Sequence, residues 1–228
     1  MSYTKQTLQH FSKSINNIFE ETLSDNDLTT ILEYLNTLIE INERFVLKDK
    51  ELEFYWNEII SDTISLIHCG ISGQYRLAIT GLRNTLELAC SAFFYLDHKI
   101  ELKLYVNENF KADKYVSSII HEYNFFKTTY INTFNSKIGR IQTQEDSVSS
   151  YLNLTYGKLS DVVHGRFKSL TKSEKSTVEY SKDQFKKFEK SYKCTLGAIA
   201  TLYVLRFDDF NSKEINSLVN ETKTLNIL

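Results

Sequence analysis

The stretch that decides the fold is GQYRLAITGLRNTLELACSAFFYL, residues 73–96. At about 100° per residue, its apolar side chains cover more than half of the circumference of a helix. A helix this apolar packs against neighbours on several sides, so we predict that it is the central helix of a bundle. Gly81 lies on its packed side, where a missing side chain would let a neighbouring helix approach closely.

The charged side chains of this segment share one narrow strip. The polar strip consists of Arg76, Thr80, Arg83, Asn84, Glu87 and Ser91. These positions fall on one face because residues three and four apart are neighbours on a helix. Two interpretations stay open. The strip is either the line where a buried helix meets water, or a polar seam that lines a cleft or a dimer interface.

The composition of the whole chain favours helices. The 228 residues contain seven glycines and no proline, whereas average usage would give roughly 11 prolines in a chain of this length. Proline breaks helix interiors, so its absence fits long helices joined by short polar connections. We predict an all-α bundle of about seven to nine helices. It would form a single domain over 1–228, with an N-terminal helical pair (1–48), a bundle (about 50–205) and a C-terminal helix (206–228).

Periodic apolar residues predict the other helices along the chain. Lys48–Lys50 predicts a short break, Gly70 the end of the third helix, and Ser72 the N-cap of the fourth. The predicted segment 112–136 is rich in aromatic residues, which we expect to fill the core rather than to stack on bases. Predicted helices cover 4–23, 28–47, 51–69, 73–96, 99–109, 112–136, 182–207 and 211–223, with another ending near His164.

Several classes of protein are disfavoured by what the sequence lacks. Its three cysteines are widely spaced, with no C-x-x-C, which favours small buried thiols in a reducing cytosol over a disulfide framework. We find no hydrophobic signal region and no apolar run near the roughly 20 residues of a membrane span. Phosphate-binding loops and metal-ligand spacings are absent too. We therefore expect a cytoplasmic protein with no membrane segment, no metal and no cofactor.

Charge is distributed unevenly along the chain, although the net charge is only −2. Residues 20–62 carry 12 acidic and 3 basic side chains, whereas residues 166–193 carry 9 basic and 4 acidic ones. Such asymmetry can serve a basic partner surface, self-association or weak contact with RNA. Solvated helix faces explain it equally well.

The stretch YGKLSDVVHGR, residues 156–166, ends a second helix of interest. The apolar stripe of this helix is formed by Leu152, Tyr156, Leu159 and Val163. His164 points away from that stripe, in line with Gly157 and Ser160, and small residues there leave room for a helix or a ligand. Arg166 and Lys168 follow at once. A protonated histidine at a helix C-terminus is also favoured by the helix dipole, which by itself could explain His164.

Together the two stretches resemble bacterial proteins of the HEPN superfamily. The resemblance covers roughly residues 50–205. It is carried by R-x-x-x-E on the central helix, here Arg83 and Glu87, and by S-x-x-x-H on the later helix, here Ser160 and His164. It implies an all-α bundle that is often dimeric and that recurs in anti-phage defence and in toxin–antitoxin systems. RNA, a protein partner such as an antitoxin, and a second copy of the chain are the partners that it implies.

Many catalytic HEPN proteins are metal-independent ribonucleases with an R-x(4–6)-H motif. This sequence departs from that motif, since no arginine lies four to six residues before His164. As a ribonuclease it would use His164 as general acid or base and Arg83 or Arg166 on the phosphate. Glu87 would orient an arginine, and the substrate-binding side chains would be Arg76, Ser160, Arg166 and Lys168. The alternative is a non-catalytic scaffold or accessory subunit of a multi-protein anti-phage complex.

Overall fold

A computed structural model describes residues 4–108, 114–127, 129–130, 133, 148–165 and 178–222. Nine α-helices have their ends within these residues, and no strand occurs among them, so the predicted all-α bundle is confirmed. The helices are α1 (Lys5–Asp25), α2 (Thr29–Lys48), α3 (Glu53–Ile71), α4 (Tyr75–Asp97), α5 (Lys99–Glu108), α6 (Val116–Glu122), α7 (Val148–Val163), α8 (Lys182–Phe207) and α9 (Lys213–Thr222).

Helix α4 lies at the centre of the bundle, as its apolar circumference predicts. It packs against α3, α6, α7 and α8. At Gly81, an added Cβ would lie only 2.8 Å from the Cβ of Leu66 on α3. The two backbones are therefore as close as a glycine allows, and the predicted role of Gly81 in helix packing is confirmed.

The last half of α8 is the second buried axis of the molecule. Every residue from Thr195 to Leu205 is buried, and α2, α4 and α9 pack around this helix. On α8, the hydroxyl of buried Tyr192 donates a hydrogen bond of 3.1 Å to the Ile31 carbonyl of α2. One continuous hydrophobic core runs from Ile31 to Val219. The domain limits given above remain predictions.

Two local predictions were wrong. Ser72 does not cap α4, because it is a buried residue at the end of α3, and the residue that precedes α4 is Gln74. The segment 112–136 is not one helix, since the backbone turns extended at Tyr123 and continues as a short 3₁₀ turn over Asn124–Phe126. Its predicted core role holds for Tyr123 and for that turn's two phenylalanines, which are buried, but not for Tyr115, which is 85% exposed.

The amphipathic stripe of α1 is only partly packed. Near its end, Phe19 contacts the ring of His68, with 5.5 Å between ring centroids. Leu8 and Phe11, in its first half, remain largely exposed.

None of the helices that the structure describes has both the length and the apolar character that spanning a membrane requires. The three cysteines are unbonded, with Cys90 fully buried and the other two half-buried.

Candidate functional site at the edge of α4 and α7

Helix α7 runs antiparallel to α4. At its start, Ser149 donates a hydrogen bond of 2.8 Å to the Ile120 carbonyl of α6. Just after α6, Tyr123 donates one of 3.1 Å to the Phe93 carbonyl near the end of α4. The beginning of α7 is thereby tied to the end of α4. It follows that the C-terminal end of α7, where His164 lies, is directed towards the beginning of α4.

A closed set of three polar side chains joins the two helices. Arg83 Nη2 lies 2.8 Å from Glu87 Oε1 and donates a hydrogen bond of 2.8 Å to the Tyr156 hydroxyl on α7. That hydroxyl in turn donates to Glu87 Oε1 at 3.0 Å. The Arg83 guanidinium carbon also lies 5.1 Å from the centre of the Tyr156 ring, within the range of a cation–π contact. The R-x-x-x-E pair of α4 therefore binds α7 through a tyrosine.

The Arg83 guanidinium is held in its charged form. Burial would lower the pKa of Arg83, but the hydrogen bond to Tyr156 and the Glu87 carboxylate outweigh it and raise that pKa. The side chains of Arg83 and Glu87 are 22% and 25% exposed, so both charges lie at a partly wet edge. A fixed cation in such a place can attract an anion, although its own carboxylate neutralises part of its field.

Two buried polar atoms at this edge lack a hydrogen-bond partner within the described part of the chain. They are Nε of Arg83 and Oγ of Ser160, which lies one helical turn beyond Tyr156. Buried polar atoms are nearly always paired with protein or with water. The Ser160 hydroxyl is therefore a buried donor whose hydrogen-bonding capacity is unused within the described residues.

His164 lies at the far end of the same edge. It is exposed and directly follows α7, and its backbone N–H donates a hydrogen bond of 2.9 Å to the Ser160 carbonyl. Among the described residues, its imidazole forms no hydrogen bond or ion pair. Eight residues separate it from Tyr156, which is about 12 Å along a helix axis. Because Arg83 is held at Tyr156, it is not the cation of the polar strip that lies nearest to His164.

Among the cations of the polar strip, Arg76 is the one that lies towards the end of α7 that carries His164. It lies two turns before Arg83 on α4, which is about 10 Å in the direction of the His164 end. It is partly exposed and forms no ion pair with any residue that the structure describes. The structure thus brings Arg83, Glu87 and Ser160 to one edge and places Arg76 and His164 towards the same end of it. Arg166 and Lys168 lie outside the described residues.

Tyr156 is the site residue that sequence reasoning missed, since it was assigned to the apolar stripe of its helix. Its ring does pack against the core, so the apolar assignment was partly correct. The signal that could have found it is spacing. Tyr156 precedes Ser160 by four residues and His164 by eight, which places its hydroxyl on the same side of the helix.

No group of three or more histidine, cysteine, aspartate or glutamate side chains is arranged to hold a metal ion in the portion of the chain that the structure describes. In comparisons with protein-family models, curated proteins and solved structures, nothing significantly matches this chain. Any functional assignment must therefore come from the residues and their arrangement.

Proposed function

We propose that this chain is a HEPN-like cytoplasmic protein of bacterial defence or of a toxin–antitoxin system, and that it cleaves RNA without a metal ion. The observation that supports this proposal best is the contact of Tyr156 with Arg83 and Glu87. It joins the two segments on which the resemblance rests. The polar strip of α4 then borders the side of α7 that carries Ser160 and His164.

The proposed chemistry is attack of the RNA 2′-hydroxyl on the adjacent phosphorus. His164 would accept the 2′-hydroxyl proton, and the bond from phosphorus to the 5′-oxygen would break. The products are a 2′,3′-cyclic phosphate and a 5′-hydroxyl end, whose proton comes from an acid. Arg76 would stabilise the charge that develops on the phosphate, and Ser160 would hold a phosphate oxygen. Arg83 and Glu87 would hold α7 in position on α4.

A homodimer belongs to this proposal. A single His164 cannot act as base and as acid in the same step. A symmetric second copy would bring another His164 to the cleft, because in a two-fold interface each chain presents the same patch. We expect the chain to sediment as a dimer, and His164→Ala in one half of a mixed dimer to reduce the rate.

The test is RNA cleavage in the presence of a chelator. Wild type is compared with His164→Ala and with Arg76→Ala, and His121→Ala serves as the matched control because His121 is also exposed. We expect both site variants to lose about 10²-fold or more of the rate, with a cyclic phosphate in the wild-type product. Unchanged cleavage by His164→Ala, or no cleavage of any RNA by wild type, would refute catalysis.

The second candidate is a non-catalytic scaffold or accessory subunit of an anti-phage complex. It is favoured by the pairing of Arg83 with its own carboxylate, which leaves that guanidinium partly neutralised. Here the edge would serve to hold α7 on α4. If phage resistance in cells survives His164→Ala and Arg76→Ala but is lost when the Arg83–Tyr156 contact is removed, the scaffold function is the better account.

A further inference from the structure

A groove lies between α4, α7 and α8, on the flank of α7 opposite to Tyr156. Its volume is about 560 Å³. Pockets that bind small molecules usually have volumes of about 300–1,000 Å³, so the groove has room for one such ligand. It shares no lining residue with the Arg83–Glu87–Tyr156 set.

The floor of the groove is hydrocarbon. It is formed by Ile79 of α4, by Leu159 and Val162 of α7 and by Phe188 of α8. All four are buried in the core on their other sides, so the floor is held rigidly. The Tyr75 ring completes it, and its hydroxyl already accepts a hydrogen bond of 3.1 Å from the Ser181 N–H. An apolar floor favours the binding of a hydrocarbon chain, because contact removes the apolar surfaces of both from water.

The rim of the groove is positively charged. Lys158 of α7 and Lys187 and Lys190 of α8 line it, and all three are exposed. No aspartate or glutamate is among the lining residues. None of the three lysines forms an ion pair with a residue in the described parts of the chain, so their charges remain available to an anion. Three lysines around an apolar floor fit a ligand with a hydrocarbon body and a negative head.

We propose that this groove binds a small amphipathic carboxylate, with its hydrocarbon chain on the floor and its carboxylate among the three lysines. A hydrocarbon body is favoured over a nucleobase because the four floor side chains, Ile79, Leu159, Val162 and Phe188, offer neither donor nor acceptor to the edge of a base. The groove is a binding site independent of the proposed ribonuclease function, because it shares no lining residue with the Arg83–Glu87–Tyr156 set.

The test uses dodecanoate as the probe, titrated below its micelle concentration into the full chain by calorimetry. We expect saturable binding of one molecule per chain. The affinity should fall as salt is raised, because the lysines are exposed to screening ions. Two partial probes separate the contributions: acetate carries the charge without the chain, and dodecanol carries the chain without the charge. Each should bind at least about tenfold more weakly than dodecanoate.

The matched variants differ only in which two lysines have their charge reversed by substitution with glutamate. Lys187→Glu with Lys190→Glu should weaken binding about tenfold or more. The control pair is Lys182→Glu with Lys186→Glu, which makes the same charge change on exposed residues of α8 that do not line the groove. Ser191→Trp should block the groove sterically, while thermal unfolding confirms that each variant is folded.

Three outcomes would overturn the proposal. They are no binding of dodecanoate, equal weakening by the control pair, and binding of adenosine monophosphate in place of dodecanoate. The last would show a nucleotide site. None of these outcomes bears on RNA cleavage, so the groove can be rejected while the function of the α4–α7 edge stands.

Discussion

Arg83 on α4 and Tyr156 on α7, 73 residues apart in the chain, are joined by a hydrogen bond of 2.8 Å. Because Tyr156 also donates to Glu87, one hydroxyl connects both charges of the R-x-x-x-E pair to the second helix. This contact fixes how α7 lies on α4. It therefore also fixes where Ser160 and His164 stand relative to the polar strip.

Replacing Tyr156 with phenylalanine tests the energetic weight of that contact. Tyr156→Phe keeps the ring on the core but removes the hydroxyl, so Arg83 and Glu87 keep only each other. We expect the free energy of unfolding in urea to fall by about 1–2 kcal/mol. Tyr115→Phe is the control, since Tyr115 is 85% exposed and should change stability by no more than about 0.5 kcal/mol. Equal effects of the two changes would contradict this account.

Two glycine-to-alanine changes in helices should shift stability in opposite directions. Gly81→Ala places a Cβ 2.8 Å from the Leu66 Cβ, so α3 and α4 must separate, and we expect a loss of about 1–3 kcal/mol. Gly157→Ala meets nothing within 4 Å and should add about 0.5–1 kcal/mol, because alanine favours helix more than glycine does. Denaturant unfolding measures both. A stabilising Gly81→Ala would show that the helices are not closely packed there.

The Asp209 carboxylate should make part of the stability depend on pH. Burial would raise the pKa of Asp209, but the hydrogen bonds that it accepts outweigh burial and lower that pKa. The hydroxyl of Tyr203 donates at 2.7 Å and Arg44 at 3.0 Å. A lowered native pKa gives stability that is present above the unfolded value of about 3.9 and is lost as the pH falls through the native value.

Asp209→Asn should therefore unfold more easily at pH 7 and show a flatter dependence of stability on pH below about pH 5. The control is Glu58→Gln, which changes an exposed carboxylate that forms no ion pair with the described residues. Urea unfolding over a series of pH values measures both variants. A slope for Asp209→Asn as steep as that of wild type would show that this carboxylate carries no such linkage.

Cys90 should resist thiol reagents as long as the protein is folded. Burial, with a smaller contribution from the nearby Glu87 charge, raises the pKa of the Cys90 thiol to about 12. Since the thiolate is the reactive form, native Cys90 is both inaccessible and unreactive. Mass spectrometry after iodoacetamide treatment should show Cys194 and Cys69, both half-buried, modified before Cys90. Early labelling of Cys90 would mean that α4 opens locally.

The sequence predicted the bundle well because its signals are local. The helix predicted over 182–207 has these limits in the structure, and no proline interrupts it. The structure adds that Ser181 caps its start. Local signals failed where tertiary contacts outweigh them. The helical pattern of 112–136 is broken at Tyr123, whose hydroxyl donates to the Phe93 carbonyl and whose ring lies against Phe94.

For the candidate site, the sequence identified the polar strip, Ser160 and His164, but not how they pair. Arg83 and Glu87 could be placed on one helix face from their spacing alone. That Arg83 contacts Tyr156, and that Arg76 lies on the side of His164, depends on the direction in which α7 crosses α4. Helical periodicity carries no information about that direction.

The amino-acid sequence by itself determined that this protein is all-helical, that α4 is central and that a neighbour packs closely at Gly81. These properties follow from periodicity and composition, which act over a few turns of chain. Only the tertiary structure decided that Tyr156 closes the Arg83–Glu87 pair and that three lysines surround an apolar groove. Both arise from contacts between distant segments, which depend on how whole helices pack and not on any one stretch of sequence.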